Sequence, residues 1–315
     1  MASHQIVTLT MNPALDISTD VGEVEPNAKL RCGPARLDPG GGGVNVARAI
    51  HRLGGRATAI YPCGGHTGEA FRDLLAEEKV DERPVPIAGR IREDFTATET
   101  ATGDQYRYVL EGPELSEAEW TRCLDETADA LEEGTCLVAS GSLPPGVPAD
   151  FYARIARLAR RKGARCIVDA GGEPMEAALC EGIFAFKPNQ REMEALTGKT
   201  LSDRAAQEEA ARDMVARGRA ELVALTLAAD GALFAWADGI VRIPAPRIER
   251  RSAVGAGDSF LAGLVLRLAE DRPWREAFRT AAAAGGSALS TPGTELCRRD
   301  ETEALERELE PQDVS

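Results

Sequence analysis

Three short motifs carry residue types that could bind or transfer an anionic group. The first is AVGAGDSF, residues 253–260, in which Gly255, Ala256 and Gly257 lead into an apolar helix starting near Asp258. Small residues at a helix start leave backbone N–H groups free to converge on an anion. Asp258 then has two interpretations: an N-cap, or a general base beside a bound phosphoryl group. The two glycines favour the base, because a cap does not require them.

The second motif is the glycine run Gly40–Gly43, followed by Val44-Asn45-Val46 at the start of a predicted helix. Four consecutive glycines give a ligand room to touch the backbone. A flexible hinge loop would have the same composition. The run alone leaves both interpretations open.

The third motif, Lys187-Pro188-Asn189-Gln190-Arg191-Glu192, follows a predicted strand. Ligands of open α/β sheets gather at the carboxyl ends of strands. Asn189 and Glu192 could hold a hydrated Mg²⁺, or they could form only a capping box. The turn SGSLPPG, residues 140–146, also ends a strand and has the same two possible meanings.

Other sequence motifs for catalysis or cofactor binding are incomplete or absent. Gly198-Lys199-Thr200 ends like a phosphate-binding P-loop, but Met193 stands where the first glycine is required. No GxGxxG follows a strand, which disfavours a dinucleotide-dependent dehydrogenase. The three His form no HExxH and the seven Cys form no CxxC, so a zinc hydrolase and a disulfide framework are disfavoured.

Composition restricts the partners. The 315 residues carry 37 Lys and Arg against 51 Asp and Glu, a net charge of −14. Such a chain has no net field to attract nucleic acid or an anionic membrane, so an anionic substrate needs local positive groups. The N-terminus lacks the pattern of a signal peptide, and FLAGLVLRLA is too short to span a bilayer. These features predict a cytoplasmic protein.

The elements that must position the motifs alternate between strand and helix. Such a βα order predicts a mostly parallel sheet flanked by helices. The predicted strands are 6–10, 57–64, 135–140, 165–169, 183–187 and 222–227, with a hairpin over 232–243. The predicted helices are 45–53, 67–79, 117–132, 149–162, 191–197, 204–217, 258–270, 275–289 and, near the acidic C-terminus, 300–311.

Two stretches interrupt this order. Residues 16–37 contain turns and short β segments, and residues 92–110 read as two alternating runs around Thr102-Gly103-Asp104. The second stretch predicts an antiparallel hairpin. The two stretches either pair into a small sheet outside the main domain or are unrelated surface loops.

The motifs together resemble the ribokinase-like sugar kinases, the PfkB carbohydrate kinase family. Six segments carry the resemblance in order along nearly the whole chain: TLTMNPALD, DPGGGGVNVARAI, GGHTGE, SGSLPPGV, KPNQREME and AVGAGDS. The unbroken GGGG, Lys29-Leu30-Arg31, Asp104–Arg107 and Gly293–Cys297 are similar to the minor-isozyme type of 6-phosphofructokinase. The resemblance implies one ribokinase-like domain over 1–315, with a β lid formed by about 14–37 and 90–112.

Residue roles follow from the resemblance by position. It implies that Asp258 is the catalytic base, with Gly255, Ala256 and Gly257 as the anion hole. Sugar binding would use Asp16, Arg31, Gly41, Gly42, Asn45, Arg92 and Ser142, the two arginines near the substrate phosphate. ATP binding would use Lys187, Asn189, Thr226, Gly231 and Gly257, with Asn189 and Glu192 holding Mg²⁺ through water. A K⁺ site would involve Ser252, Val254, Ala288 and Gly293, and Lys29 matches a position tied to inhibition by a second MgATP.

The implied activity is ATP-dependent phosphorylation of fructose 6-phosphate at carbon 1, by a homodimer joined through the lid. Close alternatives are 1-phosphofructokinase and tagatose-6-phosphate kinase; a regulator that binds sugar without catalysis is a more distant one. The sequence departs from the subtype at Thr291-Pro292 and Glu295, beside the implied K⁺ site, and at Ala228, where a glycine is usual.

Overall fold

The computed structural model describes residues 4–249, 251–252, 254–291 and 293–314. Strands within these ranges are β1 (Ile6–Leu9), β2 (Ala14–Val21), β3 (Arg36–Gly40), β4 (Thr58–Cys63), β5 (Asp81–Pro86), β6 (Arg92–Glu99), β7 (Gln105–Tyr108), β8 (Cys136–Ser140), β9 (Arg165–Asp169), β10 (Ile183–Phe186), β11 (Ala220–Thr226), β12 (Ala232–Trp236), β13 (Gly239–Ile243) and β14 (Gln312–Asp313). Helices there are α1 (Gly42–Arg52), α2 (Gly65–Glu77), α3 (Glu117–Ala130), α4 (Phe151–Lys162), α5 (Gly172–Glu181), α6 (Gln190–Thr197), α7 (Arg204–Ala216), α8 (Ala256–Ala269), α9 (Trp274–Ser290) and α10 (Arg299–Glu308).

A large sheet runs in the order β14-β13-β12-β11-β10-β9-β8-β1-β4-β5. Its strands are parallel from β5 to β11, and the three strands beyond β11 pair antiparallel. Strands β1 and β8 are buried along their whole length, and one apolar cluster covers each face of the sheet. Two-sided burial explains why these strands read as continuous apolar runs. The α/β architecture with a mostly parallel sheet is confirmed.

A separate small sheet has the order β3-β2-β6-β7. The pairs β2–β3 and β6–β7 are antiparallel, while β2 and β6 are parallel. The two irregular stretches therefore share one sheet and are not unrelated loops. Strand β3 extends to Gly40, beyond the expected boundary at 37, because its last residue pairs with Ala14.

Three elements were not foreseen. Strand β5 has the sequence DERPVP, and its charges and two prolines suit the edge position that it occupies. Helix α5 has ten residues and carries Pro174 in its first turn, so it lacks a long periodic pattern. Strand β14 has only two residues, too few for a pattern to show. The remaining predicted elements occur within a few residues of their expected bounds.

The structure decides between the alternatives that two of the motifs left open. Gly42 and Gly43 belong to the first turn of α1, so the glycine run is not a hinge loop. Gly255, and not Asp258, occupies the N-cap position of α8. Asp258 lies three residues further on, inside the first turn, and its carboxylate does not cap the helix.

Across the described residues, we find no helix that combines the length and apolar character needed to cross a bilayer.

Candidate active site

The start of α8 presents backbone to a cavity. Gly255 has φ +74°, a left-handed conformation that favours glycine. A Cβ added there would lie 2.7 Å from Leu296 Cδ2, so even alanine would force a neighbour to move. The first N–H groups of a helix have no partner within it and carry partial positive charge. Gly255, Ala256 and Gly257 therefore form a place where an anion can be held.

Asp258 projects from that same turn into the cavity. Its Oδ2 accepts a hydrogen bond from Asn45 Nδ2 at 2.9 Å. Burial, reinforced by the Asp169 carboxylate, raises the pKa of Asp258 to about 6, although Asn45, Lys187 and Arg107 act in the opposite direction. A carboxyl group with this pKa is ionised at neutral pH and is more basic than an ordinary aspartate.

Lys187 faces the anion hole from the end of β10. Its Nζ lies 3.3 Å from Asp169 Oδ1, and 3.3 Å from the place that a Cβ on Gly257 would take. Burial acts to lower the pKa of Lys187, but the carboxylates of Asp169, Asp258 and Glu192 outweigh it, and the pKa lies above its usual range. The ammonium is therefore charged and can meet a phosphate.

A cavity of about 710 Å³ collects most of the predicted sugar and catalytic residues. It is lined by Asp16, Gly41, Gly42, Asn45, Arg92, Ser142, Lys187, Glu192, Val254, Gly255, Gly257 and Asp258, among others. Close packing accounts for two of its glycines. A Cβ on Gly42 would lie 2.2 Å from Ser140 Oγ, and Gly41 has φ +108°. The backbone of this run is thereby open to a ligand.

Arg92 approaches the cavity from the first residue of β6. It pairs with Asp94 Oδ2 at 3.0 Å, and its Nη1 donates to Leu110 O at 2.9 Å. Its Nε is buried and has no hydrogen-bond partner among the described residues. The Nε has no accessible surface in this conformation, so an anion would meet Arg92 through the part of its guanidinium that lines the cavity.

Asp16 lies opposite Asp94 in the register of β2 and β6. Burial, followed by the charge of Asp94, raises the pKa of Asp16 to about 7, while Arg107, Arg48 and Arg92 act to lower it. A carboxyl group near its midpoint at neutral pH can accept or donate a hydrogen bond, as a sugar hydroxyl requires.

The sequence analysis assigned no role to three charged residues of this cavity, which are Asp94, Asp169 and Arg107. Asp169 ends β9 and pairs with Lys187. The rule that ligands gather at strand ends could have selected it. Arg107 lies in β7 and also lines the cavity. Its strand was predicted, but nothing in the local pattern indicates which face its side chain takes.

A second cavity of about 720 Å³ adjoins the first at Gly257, which lines both. Asn189, Thr226 and Gly231 line it together with apolar residues of the 244–246 segment and of α8 and α9. Ala228, at the edge of this cavity, has φ +51°. That conformation favours glycine over alanine. A largely apolar cavity adjoining the anion hole has the character of a nucleotide pocket.

Asn189 and Glu192 form the capping box of α6. Asn189 Oδ1 accepts from the Glu192 N–H at 3.0 Å, and Glu192 Oε2 accepts from the Asn189 N–H at 2.8 Å. Glu192 Oε1 makes no hydrogen bond within the described ranges and the residue lines the first cavity. The cap therefore leaves one carboxylate oxygen for a further partner.

The residues of the implied K⁺ site are linked by hydrogen bonds. Ser252 Oγ donates to Gly293 O at 2.6 Å and accepts from the Val254 N–H at 3.2 Å. Ala288 O accepts from Thr291 Oγ1 at 2.7 Å. These oxygens lie beside the start of α8; Pro292 lies outside the described residues.

Two predicted site residues stand apart. Lys29 and Arg31 are exposed in the segment between β2 and β3, and neither lines either cavity in this single chain. Their proposed roles therefore require another conformation or a neighbouring molecule.

The fold and the site place the chain in a family of kinases. Residues 8–301 match the family described as pfkB family carbohydrate kinase. The chain belongs to this family, and its fold is ribokinase-like.

Individual phosphofructokinases are similar to this chain over most of their length. The chain is 44% identical to the ATP-dependent 6-phosphofructokinase isozyme 2 of Mycobacterium tuberculosis (strain H37Rv), over 98% of this chain and 91% of that protein. It is 41% identical to the Escherichia coli (strain K12) protein of the same name, over 96% and 97%. A 1-phosphofructokinase of Xanthomonas campestris is 35% identical, over 85% and 86%.

Solved structures of phosphofructokinase-2 from Escherichia coli share the whole architecture. The complex with potassium has a TM-score of 0.93 at 40% identity, covering 97% of this chain and 99% of that one. The complex with fructose-6-phosphate and the tetrameric inhibited form each have a TM-score of 0.92 at 39% identity, with the same coverage.

Proposed function

We propose that the protein transfers the γ-phosphoryl group of ATP to the carbon-1 hydroxyl of fructose 6-phosphate, giving fructose 1,6-bisphosphate and ADP. The observation that carries this proposal is the position of Asp258. It lies on the same helix turn as the anion hole, in a cavity that also holds Arg92 and Lys187. The relatives named as 6-phosphofructokinases support the choice of sugar phosphate.

Asp258 acts as the general base in this proposal. Its pKa of about 6 leaves it ionised at neutral pH, ready to accept the proton of the sugar hydroxyl as that oxygen attacks phosphorus. The N–H groups of Gly255, Ala256 and Gly257 stabilise charge on the transferring phosphoryl group, and Lys187 adds a positive charge on the nucleotide side.

The sugar phosphate binds at the small sheet. Asp16 and Asn45 bind hydroxyl groups of the sugar. Gly41 and Gly42 contact the sugar through their backbone, and Ser142 lies close to it. The guanidinium of Arg92 meets a phosphate oxygen where it lines the cavity, and Arg107 adds charge from β7. These local arginines overcome the net charge of −14 that would otherwise repel the substrate.

ATP occupies the second cavity, beside Thr226 and Gly231, with its phosphates at Gly257. The residues present fit Mg²⁺, because Glu192 keeps one carboxylate oxygen outside its cap and Mg²⁺ retains several waters. Asn189 and Glu192 would hold the ion through those waters. Bound Mg²⁺ would offset phosphate charge.

A monovalent cation, K⁺ in this proposal, would lie beside the anion hole near Ser252, Val254, Ala288 and Gly293. Backbone carbonyl and hydroxyl oxygens there, such as Gly293 O and Ser252 Oγ, are the donor type that hard cations take. The potassium complex of the Escherichia coli relative supports it. Activity that rises with added KCl, and not with tetramethylammonium chloride, would test it.

The small sheet would act as a lid and as the contact surface of a homodimer. Large apolar side chains lie exposed on or beside it: Leu30, Leu37, Tyr108, Val109 and Leu110. A second copy would cover them and the sheet's edges. In such a dimer, Arg31 would bind the phosphate group of the substrate. Lys29 would take part in inhibition by a second MgATP. Sedimentation velocity tests the dimer, and Val109→Arg should yield monomers.

The deciding experiment compares ADP release with MgATP and four acceptors: fructose 6-phosphate, fructose 1-phosphate, tagatose 6-phosphate and fructose. A lead in kcat/KM for fructose 6-phosphate supports the proposal. A lead for fructose 1-phosphate favours the alternative suggested by the 1-phosphofructokinase relative. Sugar binding without ADP release from any acceptor would indicate a regulator. A purified Asp258→Asn variant should bind sugar phosphate yet lose almost all turnover.

A further inference from the structure

Arg48 is the largest side chain that is fully buried in the described part of the chain, with 1% exposure. It lies on α1, one turn after Asn45. Burying a guanidinium is unfavourable unless its donors are paired. The contacts that satisfy this charge therefore reveal what it holds in place.

The guanidinium is fixed from three elements. Nη1 donates to Pro39 O at 2.7 Å and to Asn45 Oδ1 at 3.3 Å. Nη2 donates to Asp38 Oδ1 at 3.2 Å, and Nε donates to Glu78 Oε1 at 3.0 Å. Pro39 and Asp38 belong to β3 of the small sheet, Asn45 belongs to α1, and Glu78 follows the last residue of α2.

The contact with Asn45 decides which way its amide faces. A guanidinium only donates, so it requires the amide oxygen, Oδ1, on its own side. The Nδ2 group is then directed at Asp258 Oδ2, 2.9 Å away. A flipped amide would set N–H against N–H at Arg48 and oxygen against carboxylate at Asp258, which is unfavourable at both ends.

We infer that Arg48 is a positioning residue of the reaction, which acts through Asn45 to keep a hydrogen-bond donor on the catalytic base. Arg48 fixes the amide, the amide favours ionised Asp258, and Asp258 accepts the sugar proton. This inference rests on the proposed function, because the contacts from Arg48 through Asn45 affect the reaction only if Asp258 is the base.

The anchor of Arg48 lies on the small sheet. Asp38 also accepts from Thr294 Oγ1 at 2.6 Å and pairs with Arg36 Nε at 2.9 Å. Arg36 in turn pairs with Glu295 at 2.9 Å. The series of contacts that positions Asn45 therefore begins where β3 meets the segment before α10, and it ends at Asp258.

Arg48→Lys keeps the charge but loses the fork that reaches several acceptors at once. We expect kcat to fall about tenfold to a hundredfold, with a smaller change in KM, because a hydrogen bond to a charged group is weakened. Arg52→Gln is the matched control on the same helix: Arg52 also reaches Glu78, at 3.4 Å, but does not line the cavity. It should leave kcat unchanged. A normal kcat in folded Arg48→Lys would overturn the inference.

A double-mutant cycle separates positioning from general support of the fold. If Arg48 acts through Asn45, then Arg48→Lys should cost little further kcat once Asn45→Ala is present. A purely structural role predicts that the two losses multiply. Multiplied losses would therefore contradict the inference.

Asn45→Asp supplies a readout that does not require an Arg48 variant to fold. With Arg48 against it, the new carboxylate stays ionised, gives Asp258 no donor and adds a repulsive charge. The acid limb of kcat should then move to higher pH. Without that contact, the new carboxyl group would take up a proton and donate it to Asp258, and the acid limb would stay in place.

Asp258 meets other charged groups that shape this pH profile: Asp169 at the end of β9, Lys187 after β10 and Arg107 on β7. They are the same in wild type and Asn45→Asp, so the difference between the two profiles reports residue 45. If the wild type releases no ADP with any sugar phosphate, the proposed function fails. A double-mutant cycle on the free energy of unfolding, with Arg48→Lys and Asn45→Ala, still tests whether Arg48 contacts Asn45: additive losses would contradict the contact.

Discussion

The acid limb of the pH–rate profile should report Asp258. With a pKa of about 6, the carboxylate is about half ionised at pH 6 and about one tenth ionised at pH 5. An aspartate with the ordinary pKa of about 3.9 would remain about nine tenths ionised at pH 5. We therefore expect kcat at pH 5 to be about tenfold below its plateau.

Two substitutions should move this limb in opposite directions. Asp169→Asn removes the neighbouring anion that raises the pKa of Asp258, so the midpoint should fall. Asn45→Ala removes the hydrogen bond that lowers it, so the midpoint should rise. Opposite shifts from two neighbours identify the titrating group more securely than the wild-type profile does.

The assay measures ADP directly at saturating MgATP and sugar phosphate, between about pH 4.5 and 8.5. The substrate phosphates also titrate near pH 6, but their titration does not depend on residues 45 and 169. Asp16→Asn is the control in the protein, since it should leave the midpoint of kcat in place. A kcat that stays flat to pH 5, or a midpoint that both Asp169→Asn and Asn45→Ala leave unmoved, would refute the assignment of Asp258.

Three further outcomes are expected. Arg92→Ala should raise KM for the sugar phosphate about tenfold to a hundredfold with a smaller effect on kcat, because it removes a charged donor from the cavity; an unchanged KM in steady-state kinetics would remove Arg92 from the phosphate site. Asp16 has its pKa raised to about 7 in the folded protein, so its ionisation opposes folding increasingly between about pH 4 and pH 7, and the loss of stability is larger at pH 8 than at pH 5. Asp16→Asn should therefore raise Tm at pH 8 by more than at pH 5, and calorimetry showing the reverse order would contradict this. Ala228→Gly should stabilise the fold by about 0.5–1 kcal/mol, because Ala228 has φ +51°; Ala229→Gly, next in the same turn, is the control and should destabilise it in a denaturant titration.

Periodicity and motif order predicted most of the fold, because the parallel strands are buried on both faces and the helices are amphipathic. The same reasoning failed for elements whose burial produces no periodic pattern of apolar residues in the sequence. Strand β5 is a charged edge, and α5 is too short to show a period. At Asp258 the residue type indicated a role in the site, but its position in the helix was not predicted. Helix α8 starts two residues earlier than the apolar pattern suggested.

The candidate site was predicted in the same uneven way. Residues in glycine-rich motifs or at strand ends were found because local sequence marks them. Arg107, and Asp38 and Glu78 around Arg48, were not, since their importance comes from contacts between elements distant in sequence. Asp38 and Thr294 are 256 residues apart, yet one hydrogen bond joins them.

The parallel pairing of β2 with β6 has a consequence for the order of folding. Ala14 pairs with Arg92, and the intervening chain includes α1, β4, α2 and β5 of the large domain. Long-range pairing is slow because the loop must close before any contact forms. We therefore expect the β2–β6 pair to form after the first βα units of the large sheet, with late amide protection in pulsed hydrogen exchange. A chain still folding would hold Asp258 on its helix before Asp16 and Arg92 come together.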